Sequence, residues 1–495
     1  MGLFGSVRRE VCLLSPASDA LKNALAYRNL QPSETTTEVA ITRCRGPARA
    51  VVSLSKPLDL SKHLAAILRP ALENGVAFVA VDIEKDEFAQ VPRMCGSEAL
   101  SQRLNIPPRD ADDAKLLRVQ AFDITPDWEQ RVAQYCADND PGRSFDGECK
   151  VDSSGLPQGT NFPDDEDIFL IGRAFNECSS VKLKHLARGH SRAKGPWIID
   201  AQSRDGRSPV TFVMKTGPLG EIKKEIDVMQ EACFNHIPFR HYPPVAPDRC
   251  VTGATKRAIV SMLVENAMTF EQYLRNQTPG NKIAEILGGP LKLWRKVQSI
   301  EEVNMGQLYQ ARGVTPKEAW HMKKIWAATQ ENDAQVLKHN ELYERFMSHD
   351  KVSAQYVQAH GDLHLRNILI HETGEVLLID FSESDRLPAS YDPATLDVAL
   401  AFDIPDQLAA EASVSDAQRL ELYSLPLLEG RATDDPNFRI AGVLVLRNQI
   451  RESVSEIEYE LAIAARLMWW ARWRKSQLAY RCASRIVNSF SPGAP

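Results

Sequence analysis

The sequence predicts an α+β chain in which a small α/β domain precedes a larger part that is strand-rich first and helix-rich after. Three observations carry this. Residues 1–136 alternate short apolar strand candidates with amphipathic helices. Residues 137–167 are dominated by Asp, Gly, Ser and Pro and end in Asp164-Asp165-Glu166-Asp167, the composition of a linker. Beyond it, strand candidates recur up to about residue 265, and residues 281–350 are rich in helical spacing.

The 495 residues are 43% hydrophobic and 25% charged, which excludes a disordered or fibrous chain. A net charge of -6 argues against a protein that coats nucleic acid. Apolar stretches such as Gly75–Val81 are too short to span a bilayer, and Ala462–Trp473 is interrupted by Arg466 and Arg472. No transmembrane segment and no signal peptide are expected. The nine cysteines include no CxxC pair and read as reduced thiols of a cytoplasmic protein. Met1-Gly2 through Ser6 fits an N-myristoylation pattern, but so short a pattern matches often by chance.

Taken in order, Glu10–Leu14 is a strand candidate and Ser18–Leu30 a helix, with Ser18 or Asp19 as N-cap. Thr37–Arg43, with Val39 and Ile41 alternating, and Ala48–Leu54 suit strands. Asp59–Asn74 reads as a helix stopped by Gly75, and Val76–Ile83 as a buried strand. Asp82 at its end could be a phosphoacceptor or a ligand; capping a turn is the simpler reading. Leu117–Phe122 is a strand and Asp127–Cys136 a helix. A domain boundary follows: 1–136 is the α/β domain, 137–167 a linker and 168–495 the main domain.

In the main domain Val181–Leu186 and Trp197–Gln202 form a strand pair, and Pro209–Met214 is a strand ending in Lys215. The next helix opens with Pro218 and carries Glu221 and Glu225 on one face. Leu291, Leu293, Trp294, Val297 and Ile300 recur at near-helical spacing, most simply as core. Asp392-Pro393 reads as a helix start, and Ser453–Lys475 as a long helix with Trp469 and Trp473 four apart.

The chemistry concentrates in His360-Gly361-Asp362-Leu363-His364-Leu365-Arg366-Asn367 and Leu377-Leu378-Ile379-Asp380-Phe381. Phosphoryl transfer to a hydroxyl needs one carboxylate to orient the hydroxyl and oxygen ligands to hold Mg²⁺ on the nucleotide phosphates. Asp362 can be the first; Asn367 and Asp380 can be the metal ligands. Ile368–Ile370 and Val376–Ile379 flank the turn His371-Glu372-Thr373-Gly374, so a hairpin returns Asp380 to the end that holds Asn367.

These residues resemble the catalytic core of the protein-kinase-like fold, and more closely its aminoglycoside phosphotransferase and choline kinase branch, with HGDxHxxN, a short hairpin and IDF. Protein kinases carry a lysine where His364 stands and a glycine where Ser382 stands, and no APE-like tripeptide follows. The resemblance implies a bilobal fold, a β-rich N-lobe over about 168–265 and a helical C-lobe over about 266–495. It implies that Lys215 contacts the nucleotide phosphates, paired with Glu225 or, alternatively, Glu221. It implies that Gly189 and Ser191 lie in a phosphate-covering loop, and that Glu265 and Ala267 lie where the hinge meets adenine. An aspartate then braces the catalytic loop, and Asp397-Val398-Ala399 matches that triplet better than Asp392. The implied activity is that of a kinase using ATP and Mg²⁺ on a small-molecule hydroxyl.

Two further readings bear on partners. Eight acidic residues between Asp403 and Asp435 would suit a cationic acceptor; a solvated surface is the simpler account. The chain also resembles kinase-like domains of bacterial multidomain signalling and conflict systems, which would make 1–136 a regulatory or protein-binding domain and the whole a signalling module.

Overall fold

The structure is a computed structural model. It describes residues 9–490 except 15, 45–47, 54–65, 68–69, 72–73, 82–118, 123, 140, 144–147, 158–161, 186–193, 230–236, 238, 275–279, 315–321, 331–332, 334–335, 404–413, 430–434 and 436. The acylation motif, Asp82, Gly189 and Ser191 therefore lie outside the described residues. The chain divides into two compact units, Met1–Ile226 with Pro244–Leu263, and Asp227–Pro243 with Val264–Pro495.

The first unit begins with β1 (Glu10–Leu13), α1 (Asp19–Tyr27), β2 (Gln31–Glu34), α2 (Thr37–Cys44), β3 (Ala48–Ser53), β4 (Ala77–Val81), β5 (Val119–Phe122) and α3 (Trp128–Asp138). The strands pair in parallel in the order β2-β1-β3-β4-β5. Every residue of β3 and β4 is buried, as a sheet covered on both faces requires. Side chains alternate between two cores. Cys12, Val51, Phe78 and Ala80 join Ala40 and Cys44 of α2; Val11, Leu13, Val52 and Val79 join α1 and α3. This is a doubly wound α/β domain.

Two elements differ from expectation. Residues 37–43 form the helix α2 and not a strand. Ala40 and Cys44, four apart, are buried, whereas Val39 is exposed, so helical period outweighs the two-residue alternation. The edge strand β2 is Gln-Pro-Ser-Glu, without an apolar residue to signal it; only an edge tolerates its proline.

The same unit continues with β6 (Lys150–Asp152), α4 (Asp165–Ala174), β7 (Cys178–His185), β8 (Lys194–Ser203), β9 (Val210–Pro218), α5 (Leu219–Val228) and β10 (Lys256–Met262). The sheet order is β10-β9-β8-β7-β6, antiparallel except for β6 with β7. Trp197, Phe175, Phe212 and Met214 fill its core. Within the stretch read as a linker, β6 is thus an edge strand, and Asp164 caps α4 through a reciprocal capping box with Asp167. Lys215 lies inside β9, and Pro218 is the last residue of that strand, just before α5. The two sheets meet at residues 250–254. The buried Arg173 donates to the carbonyl oxygens of Arg143, Pro141 and Thr252. Gly75 has φ 66°, and a Cβ there would lie 1.8 Å from the Thr252 carbonyl oxygen.

The second unit comprises β11 (Ala267–Thr269), α6 (Phe270–Tyr273), α7 (Gly280–Gly288), β12 (Ser299–Val303), α8 (Met305–Ala311), α9 (Lys323–Gln330), α10 (His339–Met347), β13 (Val352–Ala359), β14 (Ile368–His371), β15 (Val376–Leu378), β16 (Asp385–Pro388), α11 (Tyr391–Phe402), α12 (Asp416–Leu422), α13 (Phe438–Ile450), α14 (Glu456–Arg474) and α15 (Gln477–Ser489). Two short sheets, β11-β14-β15 and β12-β13-β16, sit among these helices. Most of α11 and α14 is buried on all sides, which makes them interior helices. The stripe read as core around residue 297 is not one. Leu291 and Trp294 are buried, but Leu293, Val297 and Ile300 are exposed, and Ile300 lies on the edge strand β12. Among the described residues no helix is long and apolar enough to cross a membrane.

Candidate active site

The loop of residues 360–367, which carries Asp362 and Asn367, joins β13 to β14 and is held from several directions. His360 is fully buried, and its Nε2 lies 3.0 Å from the Ile379 carbonyl oxygen. Gly361 has φ 80°, and a Cβ there would fall 2.0 Å from the Glu383 carbonyl oxygen, so only glycine fits. The Asp392 carboxylate accepts from the backbone N–H groups of His360 (2.6 Å) and Gly361 (2.9 Å).

Asn367 Nδ2 donates to the Asp362 carbonyl oxygen at 2.9 Å, fixing one end of the loop on the other. The Ile379 N–H donates to the Asn367 carbonyl at 3.0 Å, and Ile368 pairs with Leu378. The hairpin thus returns Asp380 beside Asn367. Asp380 has φ 62°, a conformation that costs a non-glycine residue energy and is common at functional sites. Its Oδ1 accepts from Ser382 Oγ at 3.0 Å. The Asp362 side chain is 43% exposed, with His364 Nε2 3.6 Å from its Oδ2. Burial holds the His364 imidazole below its usual range, against the pull of Asp362 and Asp403.

The loop and hairpin therefore bring Asp362, Asn367 and Asp380 together at one end of β14 and β15. They fit a Mg²⁺ site: Asn367 Oδ1 has no hydrogen-bond donor among the described residues, and Asp380 supplies a carboxylate, while phosphates and water can complete the shell.

In the first unit Lys215 is on β9, paired with Ile259 of β10. Its Nζ lies 2.7 Å from Glu225 Oε2, with both side chains largely buried. One turn before it on α5, Glu221 is exposed, so Glu225 is the partner. In the second unit Glu265 is exposed in the turn before β11, and Ala267 opens that strand opposite His371.

The brace on the loop is Asp392 and not Asp397. The helix α11 starts at Tyr391, which puts Asp392 in its first turn, facing the loop backbone. Asp397 lies more than a turn further on and is wholly buried elsewhere. Its two oxygens receive Arg447 Nε (2.7 Å) and Nη2 (3.2 Å), Tyr423 Oη (2.8 Å) and Tyr459 Oη (2.8 Å). Of the acidic residues after 402, Asp403 is buried and bonded to Arg474, and Asp416 is exposed at the start of α12. Asp406, Glu411 and Asp434 lie outside the described residues. Trp469 and Trp473 have ring centroids 6.1 Å apart, with Trp473 61% exposed.

Sequence spacing gives no reason to single out Arg366 and Glu271, or Arg466 with Tyr309 and Tyr391. Arg366 pairs through Nε with Glu271 Oε2 at 2.7 Å, tying the loop to α6. Arg466 stacks on Tyr391 at 4.4 Å. The one available signal for it is a charge inside an otherwise apolar run.

Backbone comparison places related architectures beside these parts. The chain is similar to kinase-like phosphotransferases. Choline kinase LicA from Streptococcus pneumoniae is 11% identical over 63% of this chain and 94% of its own, with a TM-score of 0.32. Aminoglycoside phosphotransferase APH(3'')-Id from Streptomyces rimosus is 17% identical over 57% and 98%, at 0.30. A ternary complex of aminoglycoside phosphotransferase APH(4)-Ia with ADP and hygromycin B is 13% identical over 65% and 97%, at 0.37. The family model described as ternary complex associated domain 9 (TCAD9) matches residues 274–482, all in the second unit. A comparison with curated protein sequences finds no match.

Proposed function

We propose that the chain is an ATP- and Mg²⁺-dependent phosphotransferase that moves the γ-phosphoryl group to a hydroxyl of a small molecule. The observation that carries this reading is the loop and hairpin in which Asn367 is bonded to the Asp362 carbonyl and adjoins Asp380. The Lys215–Glu225 ion pair supports it independently. In this reading Asp362 orients the acceptor hydroxyl and accepts its proton. The hydroxyl oxygen bonds to the γ-phosphorus as the bond from that phosphorus to the β–γ bridging oxygen breaks, and ADP leaves. Lys215, held by Glu225, contacts the nucleotide phosphates. Gly189 and Ser191 would cover the phosphates, and the backbone of Glu265 and Ala267 would meet the base. Asn367 and Asp380 would hold Mg²⁺, which when bound bridges and neutralises phosphate oxygens. A cytoplasmic location accords with buried cysteines that form no disulfide among the described residues, Cys12, Cys44, Cys136, Cys149, Cys178, Cys250 and Cys482.

The test is ATP turnover with mass profiling of a small-molecule extract. Asp362→Ala is expected to lower product formation by about 10²–10⁴-fold, the usual weight of a positioned base. Asp380→Ala is expected to remove the Mg²⁺ dependence of nucleotide affinity in calorimetry; unchanged affinity would overturn its assignment.

The TCAD9 match favours a second reading. Here the chain is a kinase-like module of a multidomain bacterial signalling system, and residues 1–136 take a protein partner. Nucleotide binding with no Asp362-dependent product would decide for it.

A further inference from the structure

Arg466 is a buried charge that the proposed reaction leaves unused. It lies midway along α14 and is 6% exposed. Its guanidinium sits 4.4 Å from the Tyr391 ring centroid and 5.6 Å from that of Tyr309, and those two rings stack at 4.9 Å. The guanidinium thus lies against the Tyr391 ring with Tyr309 close by. Its edge is another matter. Nε and Nη2 have no hydrogen-bond partner among the described residues.

Those two nitrogens present parallel N–H groups on one side of the planar fork, the geometry that binds both oxygens of a carboxylate or phosphate. The same unit shows twice what this edge takes. Arg447 sets Nε and Nη2 on the two oxygens of Asp397, at 2.7 and 3.2 Å. Arg366 sets the same pair on Glu271, at 2.7 and 3.4 Å. In Arg466 the edge is as buried as that of Arg447, and no described carboxylate fills it.

Two more buried groups beside this stack lack partners among the described residues: Tyr309 Oη and Ser390 Oγ, the latter next to Tyr391 in the chain. Buried polar groups are normally satisfied, so unpartnered donors on Arg466 and on the Tyr309 ring beside it call for an acceptor. The cluster also adjoins the reaction. Tyr391 precedes Asp392, whose carboxylate holds the loop that carries Asp362, and the charges of Asp362 and Asp392 both act on Arg466.

We propose that Arg466 determines acceptor specificity. Its Nε–Nη2 edge binds an oxyanion, a carboxylate or a phosphate, on the same small molecule that offers the hydroxyl, and Tyr309 Oη donates to that group. This rests on the phosphotransfer reading and narrows its acceptor to a hydroxyl compound with a negative group. Shielding from bulk water strengthens such a charge-assisted bond.

The experiment is thermal unfolding of the full chain in saturating ADP·Mg²⁺ with matched probes: glycerol, glycerate, glycerol 3-phosphate and choline. Glycerate or glycerol 3-phosphate is expected to raise Tm in a concentration-dependent way, and whichever does so identifies the anion as carboxylate or phosphate. Glycerol and choline are expected to leave Tm unchanged. Arg466→Lys, which keeps the charge but loses the fork, is expected to weaken the apparent affinity for the anionic probe at least tenfold, and Arg466→Met to abolish it. Should Arg466→Met fail to fold, Tyr309→Phe removes a single hydroxyl and is expected to weaken affinity several-fold. An anion-dependent shift that is the same in wild type and Arg466→Lys overturns the proposal. So does no anion-dependent shift at all, the result expected if Arg466 is only a packing residue, or a shift with choline alone. The shift produced by ADP·Mg²⁺ itself reports separately on the nucleotide site. Its absence beside an intact Arg466-dependent anion effect would sink the phosphotransfer reading and leave the anion site standing.

Discussion

Glu458 shows how burial sets a proton equilibrium near the candidate site. It is 1% exposed, and its carboxylate accepts from the Ser390 N–H. Burial pushes its pKa up to about 7, outweighing that bond. Glu460, two residues on, is also raised, by burial and then by its hydrogen bond with Glu456. A carboxyl whose folded pKa exceeds its unfolded one binds a proton more tightly when folded. Its contribution is complete below the unfolded glutamate pKa and is lost as pH rises through about 7. Stability should therefore fall between about pH 4.5 and 7 by an amount on the order of 3 kcal/mol for Glu458. Glu458→Gln should flatten that decline in urea titrations at a series of pH values; an unchanged slope would contradict it. Motif spacing made the polar residues of the loop legible, because Asp362, Asn367 and Asp380 are read from one contiguous segment. Glu458 and Arg466 were not legible in that way, since their environment comes from packing between distant segments.

At the scale of elements, Asp397 clamps α11 to α13 and α14. It is fully buried with Arg447, Tyr423 and Tyr459 as its donors. Asp397→Ala would leave the Arg447 guanidinium without its carboxylate, and breaking such a pair costs roughly 3–5 kcal/mol. The expected readout is a matching loss in chemical denaturation. Asp397→Asn should lose less, because an amide oxygen still accepts from the tyrosine hydroxyls. Strands with apolar runs, such as β3 and β4, were legible from sequence. The edge strand β2 and the helix α2 were not, since one lacks apolar residues and the other carries a misleading alternation. The brace was misread for a similar reason. Which aspartate faces the loop depends on where α11 begins, and its first turn already contains Pro393.

At the scale of the molecule, residues expected to be a linker contribute β6 to the sheet of the first unit, and the α/β domain packs on that sheet directly. Ala254, from the turn before β10, is buried in the same core as Cys12 and Phe78. A chain lacking residues 1–136 should therefore unfold at a lower Tm than the full chain, since Ala254 and its neighbours lose that cover. Equal midpoints would show the two parts to be energetically independent. Composition could suggest a boundary near residue 140 because Asp, Gly and Pro cluster there. It could not reveal that these residues are held by Arg173 and by the turn at Thr252.

That joint has a mechanical consequence. Pro141 is bonded to Thr252, and Gly75 lies against it without room for a methyl group. Four residues past Thr252 the chain enters β10, which pairs with the strand carrying Lys215. A tug on the α/β domain therefore bears on this joint. It loads a short, tightly bonded path that ends one strand away from the lysine.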